Sequence, residues 1–192
     1  MRFKIQYNSP VILTYALLSG TALLLGWLTS GAVTRNFFVL SSVGLYNPLS
    51  YLRLITYIFG HADFNHFFGN FSIILLVGPL IEEKYGSKRL LLMIGATALI
   101  SGILHLIFFQ SGVLGASGIV FMLILLTPFT NTRSGKLPLT FILIFLIYIG
   151  QELALSMTVV DNISRFLHIL GGLIGAWMGY ALTKKSSSAA PF

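Results

Sequence analysis

Between Val11 and Leu28 the chain carries no charged side chain, and the same is true from Phe64 to Ile81, from Leu90 to Phe109 and from Phe166 to Thr183. A helix needs roughly 20 predominantly apolar residues to cross about 30 Å of hydrocarbon, and these runs have that character. Only 9% of the residues are charged, against about 25% in a typical soluble domain. So few charges cannot cover a water-facing surface, and the expected class is an all-α polytopic membrane protein. No hydrophilic stretch is long enough for a separate soluble domain. The reading is therefore one membrane domain over 1–185, with a tail over 186–192. There is no cysteine, which removes disulfides and thiolate-bound metals. The first run is longer than a signal-peptide core and lacks a convincing small-residue cleavage site, so it reads as an uncleaved span.

Six segments follow from the apolar pattern: Val11–Leu28, Phe64–Ile81, Leu90–Phe109, a short one over Ser117–Phe129, Leu137–Leu153 and Phe166–Thr183. Asp63 or Asn65 can cap the second. The interval Thr29–Asp63 is too apolar for a free loop and too broken for a span. Its separated Arg35 and Arg53, Asn47-Pro48 and several aromatics suit an amphipathic element in the membrane interface. With six crossings both termini share one side. That side collects Arg2, Lys4, Lys84, Lys88, Arg89, Arg133, Lys136, Lys184 and Lys185, leaving Arg35, Arg53 and Arg165 on the other. The formal charge of +7 therefore reads as positive-inside bias, with the termini cytoplasmic, rather than as a nucleic-acid surface.

The short segment is the unusual one. From Ser117 to Thr130 a helix covers roughly 20 Å, less than the hydrocarbon thickness. Ser117 would then lie about 10 Å below the outer surface. Gln110–Ala116 must dip inward as non-helical chain lining a wet, protein-walled cavity. By the same rise per residue, His66, Asn70 and His168 fall at a similar depth. Polar groups inside a membrane are costly and point to function. His105 falls at that depth too.

A serine hydroxyl needs a general base, and neutral histidine suits that task. Ser117 at a helix start offers a free backbone N–H and the positive end of the helix dipole to an oxyanion. His66 and Asn70, at i and i+4, can turn two further donors toward one point. His168 is favoured over His105 as the base. It opens a small-residue run, Gly171, Gly175 and Gly179, at the spacing that lets membrane helices approach closely, with Gly118 helping from the serine helix. No carboxylate lies deep in a span, so the expected unit is a Ser–His dyad. Each feature also has an ordinary reading: small residues for packing, and a span histidine or asparagine for interhelical hydrogen bonding. Their agreement in depth favours chemistry.

Gly115-Ala116-Ser117-Gly118, His66-Phe67-Phe68-Gly69-Asn70 with His61 before it, His168 with Gly171 and Gly175, and Glu83-Lys84-Tyr85-Gly86 together resemble the motifs of rhomboid intramembrane serine proteases, closest to the compact bacterial GlpG type. The resemblance implies a six-helix bundle with Ser117 as nucleophile and His168 as base. It places His66, Asn70 and the Ser117 amide around the oxyanion, and gives supporting roles to Gly115, Gly118, Phe121, Gly171, Gly175 and His61. It implies cleavage of single-span transmembrane proteins near the outer boundary of a bacterial inner membrane, without metal, ATP or other cofactor. Span five and the 154–164 loop would gate the site. Two positions depart from the family pattern: Leu52 stands where tryptophan precedes the arginine, and Phe121 where tyrosine is common. A non-catalytic rhomboid-like protein that binds transmembrane helices is the main alternative. A small transporter would need an inverted repeat, which the sequence lacks.

Overall fold

The computed structural model describes residues 7–41, 48–130, 139–156 and 162–187. Arg2 and Lys4, Tyr46 and Asn47, the 131–136 turn, residues 157–161 of the expected gating loop and the end of the tail lie outside the described residues. Among the described residues the regular elements are helices: α1 Pro10–Leu28, α2 Pro48–Thr56, α3 Phe64–Tyr85, α4 Ser87–Phe108, α5 Ser117–Leu126, α6 Leu139–Ser156 and α7 Asn162–Ser187. Short 3₁₀ turns follow α2 and α5, and a π-helical turn covers Thr34–Phe38. α1, α3 and α4 are each long and apolar enough to cross a bilayer.

Two starts differ from the sequence reading. α4 begins at Ser87 rather than Leu90, and α7 at Asn162 rather than Phe166. The described parts of the expected 154–164 loop, 154–156 and 162–164, are helical, at the end of α6 and the start of α7. The reason is general: charge ends an apolar run, but it does not end a helix, because Lys, Arg and Ser are tolerated in a first turn. The break between α3 and α4 comes from Gly86, whose φ of 81° suits glycine.

α5 is the centre of the bundle. Ile119, Val120 and the whole stretch Met122–Leu126 are buried, as expected of a helix that is apolar on every face. α1, by contrast, leaves Leu17, Leu24, Trp27 and Leu28 exposed, a surface suited to lipid. Lipid tails are as apolar as leucine, so burial of apolar area contributes little to helix association here. Close packing and polar ties must hold the helices together.

One such tie joins the first helix to the third. Glu82 at the end of α3 is only 4% exposed. Its carboxylate accepts from the Val11 and Ile12 amides at 3.0 and 3.1 Å and from the Ser87 hydroxyl at 2.7 Å. These are first-turn amides of α1, which have no acceptor in their own helix. They meet a negative charge at the positive end of the dipole.

The first loop is also anchored. Arg53 Nε donates to the Asn36 carbonyl at 2.8 Å, and the Thr56 hydroxyl donates to the Phe37 carbonyl. Tyr15 donates to the Ile58 carbonyl at 2.9 Å and Tyr57 to the Ala98 carbonyl at 3.1 Å. Leu52 is half exposed, and the anchoring falls to Arg53 instead.

Candidate active site

The non-helical connector between α4 and α5 has partners on three elements. Leu40 and Val113 exchange backbone bonds of 2.9 and 2.8 Å, and the Gly115 amide donates to the Tyr57 carbonyl at 2.9 Å. His105 Nε2 donates to the Ser111 carbonyl at 2.9 Å. Extended backbone between two apolar helices requires such satisfaction. His105, fully buried and stacked on Phe109 at 5.6 Å between ring centroids, is thus committed to holding the connector.

At Gly115 the connector meets α3. Its φ is 127°, and a Cβ there would lie 2.8 Å from two atoms of the His66 ring and 4.0 Å from Asn70 Nδ2. The position therefore excludes a side chain twice over, by conformation and by space. Asp63 caps α3 by accepting from the His66 amide at 2.8 Å. This aims the first turn so that His66 and Asn70, on one helix face, look toward the connector.

His61, 2% exposed, fixes Asn70. Its Nδ1 lies 3.2 Å from the Phe59 carbonyl and its Nε2 lies 3.2 Å from Asn70 Nδ2. A carbonyl can only accept, so Nδ1 carries the proton and Nε2 accepts from the Asn70 amide. One Asn70 N–H is used there and the other is left for the connector side. Burial, with His66 nearby, pushes the His61 ring down to about 4; the Phe59 carbonyl and Asp63 pull the other way. On the α1 side of His61 a cavity of about 480 Å³ is lined by Ser30, Thr34, Arg35, Asp63 and Leu114. Its polar groups make it a place water can occupy.

α5 begins immediately after the connector. Ala116 is its N-cap, and no side chain caps it. Ser117, half-buried, is the first helical residue, and its amide points out of the helix without a helical acceptor. α7 crosses α5 at glycines. A Cβ on Gly171 would overlap the Gly118 carbonyl, one on Gly175 the Met122 carbonyl, and one on Gly179 the Phe129 ring. This contact seats the His168 ring flat on Phe121, with centroids 4.3 Å apart and planes 9° apart. Phe121 lies one turn beyond Ser117 on the same helix face. His66 and His168 are close enough to interact electrostatically.

The structure therefore gathers His61, His66, Asn70, Gly115, Ser117, Gly118, Phe121, His168 and Gly171 around the first turns of α5, sets Gly175 further along it against Met122, and gives His105 a separate task. Three contributors were not visible in the sequence: Tyr57 and the Leu40–Val113 pair, which hold the connector, and the bond from His61 to Asn70. The first two are apolar or aromatic residues with no motif around them. For the third, the only signal was a histidine shortly before a capped helix.

Residues 48–185 match the Rhomboid domain family. The chain is 34% identical over 145 residues to RHOMBOID-like protein 6, mitochondrial, of Arabidopsis thaliana, an alignment covering 71% of this chain and 45% of that protein. The chain thus spans about half the length of that curated relative. The family match begins at α2 and runs through the connector, α5 and most of α7, so it contains His61, His66, Asn70, Ser117 and His168, while Leu40, which pairs with the connector, lies before it. Together with the three membrane-length helices, this makes the chain a multi-pass membrane protein of the rhomboid family.

Proposed function

We propose that the protein is an intramembrane serine endopeptidase of the compact GlpG type. It would cross the bacterial inner membrane six times, keep both termini in the cytoplasm, and cleave single-span proteins near their outer membrane boundary. The observation that carries this reading is the seat of His168 on Phe121, one turn from Ser117, with His66 and Asn70 facing Gly115 in the connector before α5.

The chemistry follows from those groups. The Ser117 hydroxyl attacks the scissile carbonyl while His168 takes its proton. Negative charge develops on the carbonyl oxygen and is met by the Ser117 amide, the free Asn70 N–H and a His66 ring N–H. His168 then returns the proton to the leaving amine, and water repeats the sequence on the acyl-enzyme. Phe121 holds the imidazole plane by stacking, the orienting task that a carboxylate performs in a triad. Glycine contacts between α5 and α7 let a short serine side chain reach a histidine on another helix.

The test is cleavage of a tagged single-span substrate in liposomes. Ser117→Ala and His168→Ala should each lower the rate by at least about 1,000-fold. His105→Ala should act mainly through stability, so His105→Gln, which keeps a donor for Ser111, should restore cleavage. Retained cleavage by Ser117→Ala would remove the nucleophile from this assignment. A fully folded wild type that cleaves nothing and takes up no serine-reactive probe would favour the non-catalytic, helix-binding alternative.

A further inference from the structure

α4 and α7 meet in two different ways along their length. Near the end of α4, Phe108 and Phe109 pack on Phe166 at 5.6 and 5.2 Å between ring centroids. Toward the start of α4 the seam opens into a groove of about 330 Å³ walled by Leu92, Met93, Trp177, Met178 and Leu182. That volume falls within the range of about 300–1,000 Å³ seen for ligand pockets. Leu92 and Trp177 are each more than half exposed, so the groove is open along its side. Ala96 and Ala181 supply the space, and Arg89 is the one charged residue on the wall.

Charge is concentrated at this end. Lys88 and Arg89 stand in the first turn of α4, and Lys184 and Lys185 follow Leu182 within α7. Of the two acids in the α3–α4 turn, Glu82 is occupied by the α1 amides and Ser87, which leaves Glu83. Arg89 has no ion-pair partner among the described residues. An apolar groove about 10 Å deep, by the helix rise from Arg89 to Ala96, ends at an unpaired guanidinium where α4 leaves the membrane.

We infer that this groove binds an anionic phospholipid from the leaflet on the Arg89 side, with an acyl chain between α4 and α7 and the headgroup phosphate on the Arg89 guanidinium. Basic pockets between helices at a membrane surface recognise such headgroups by charge, and a guanidinium binds phosphate through paired N–H donors. A second copy of the chain fits poorly. A two-fold contact would bring the cations of one copy against the same cations of the other. The lipid would fill the open part of the α4–α7 seam and so help hold α7, whose glycines are seated on α5.

The experiment uses the purified full chain in detergent, equilibrated with an equimolar mixture of phosphatidylglycerol and phosphatidylcholine of matched chains. Retained lipid is read by native mass spectrometry. Wild type should keep phosphatidylglycerol over phosphatidylcholine by about fivefold, and Arg89→Gln should abolish that preference. Lys84→Gln, which removes an equal charge from the same turn but off the groove wall, should leave it intact. Ala181→Phe should expel the lipid without changing charge; if that variant does not fold, the Arg89 and Lys84 pair decides. Equal retention of both lipids by wild type, equal losses in Arg89→Gln and Lys84→Gln, or a dimer that Ala181→Phe dissolves would each overturn the assignment.

Discussion

His61 shows how much a single residue can carry without touching the reacting atoms. Its protonated Nδ1 is fixed by the Phe59 carbonyl, and its Nε2 therefore orients the Asn70 amide. A second proton on the ring would abolish the acceptor. Burial holds the ring near 4 in the folded protein, below the ordinary value of 6.5. The folded state thus binds fewer protons than the unfolded one between those values. The resulting stabilisation is complete above about pH 6.5 and is lost as pH falls toward about 4, amounting at most to about 3 kcal/mol. Thermal unfolding of wild type and His61→Asn from pH 7.5 to 4.5 checks this: the wild-type advantage should shrink steadily with acidification. A constant difference would show that His61 titrates alike in both states. The spacing of His66 and Asn70 could be read from the sequence, because i and i+4 is a property of any helix. The bond from His61 to Asn70 could not, since it depends on where the chain turns before α3.

Helices here are distinguished by what their glycines touch. Gly171 and Gly175 lie against the backbone of α5, whereas Gly95, within α4, has open space where a Cβ would stand. The same substitution should therefore act in opposite directions. Gly171→Ala should destabilise by about 3 kcal/mol and slow cleavage, since backbone contact leaves nothing flexible to yield. Gly95→Ala should be neutral or stabilise by up to about 1 kcal/mol through helix propensity. Denaturation in mixed micelles measures both, and equal effects would contradict the packing described. The α5–α7 pairing was legible because a four-residue spacing of small residues is a packing signal in itself. The starts of α4 and α7 were less so. Hydropathy reports where lipid ends, while helix termini depend on caps and on residues such as Gly86.

For the molecule as a whole, charge distribution and packing separate cleanly. The class and the places of the three membrane-length helices could be read from charge and length alone, but how the helices are tied together could not. Glu82 reads as the first charge beyond an apolar run, yet it is buried against a helix some 70 residues earlier. Side assignment is directly testable because the chain has no cysteine. In intact bacterial cells a membrane-impermeant maleimide should label Ser30→Cys, at the far end of α1. It should label Lys84→Cys, in the basic turn, only after permeabilisation. The reverse pattern would invert the proposed topology and put the head of α5 on the cytoplasmic side.

The Glu82 clamp also has a meaning in time. Ribosomes deliver α1 long before they deliver its cap, so the leading amides of Val11 and Ile12 wait for Glu82 to be made. Ser87 completes the arrangement only once the chain has turned at Gly86. Nascent chains halted before Glu82 leaves the insertion machinery should thus leave α1 open to protease at its leading end, and chains halted well beyond Ser87 should protect it. The first helix synthesised is among the later ones to be finished, and the molecule acquires its frame when its third helix reports back to its first.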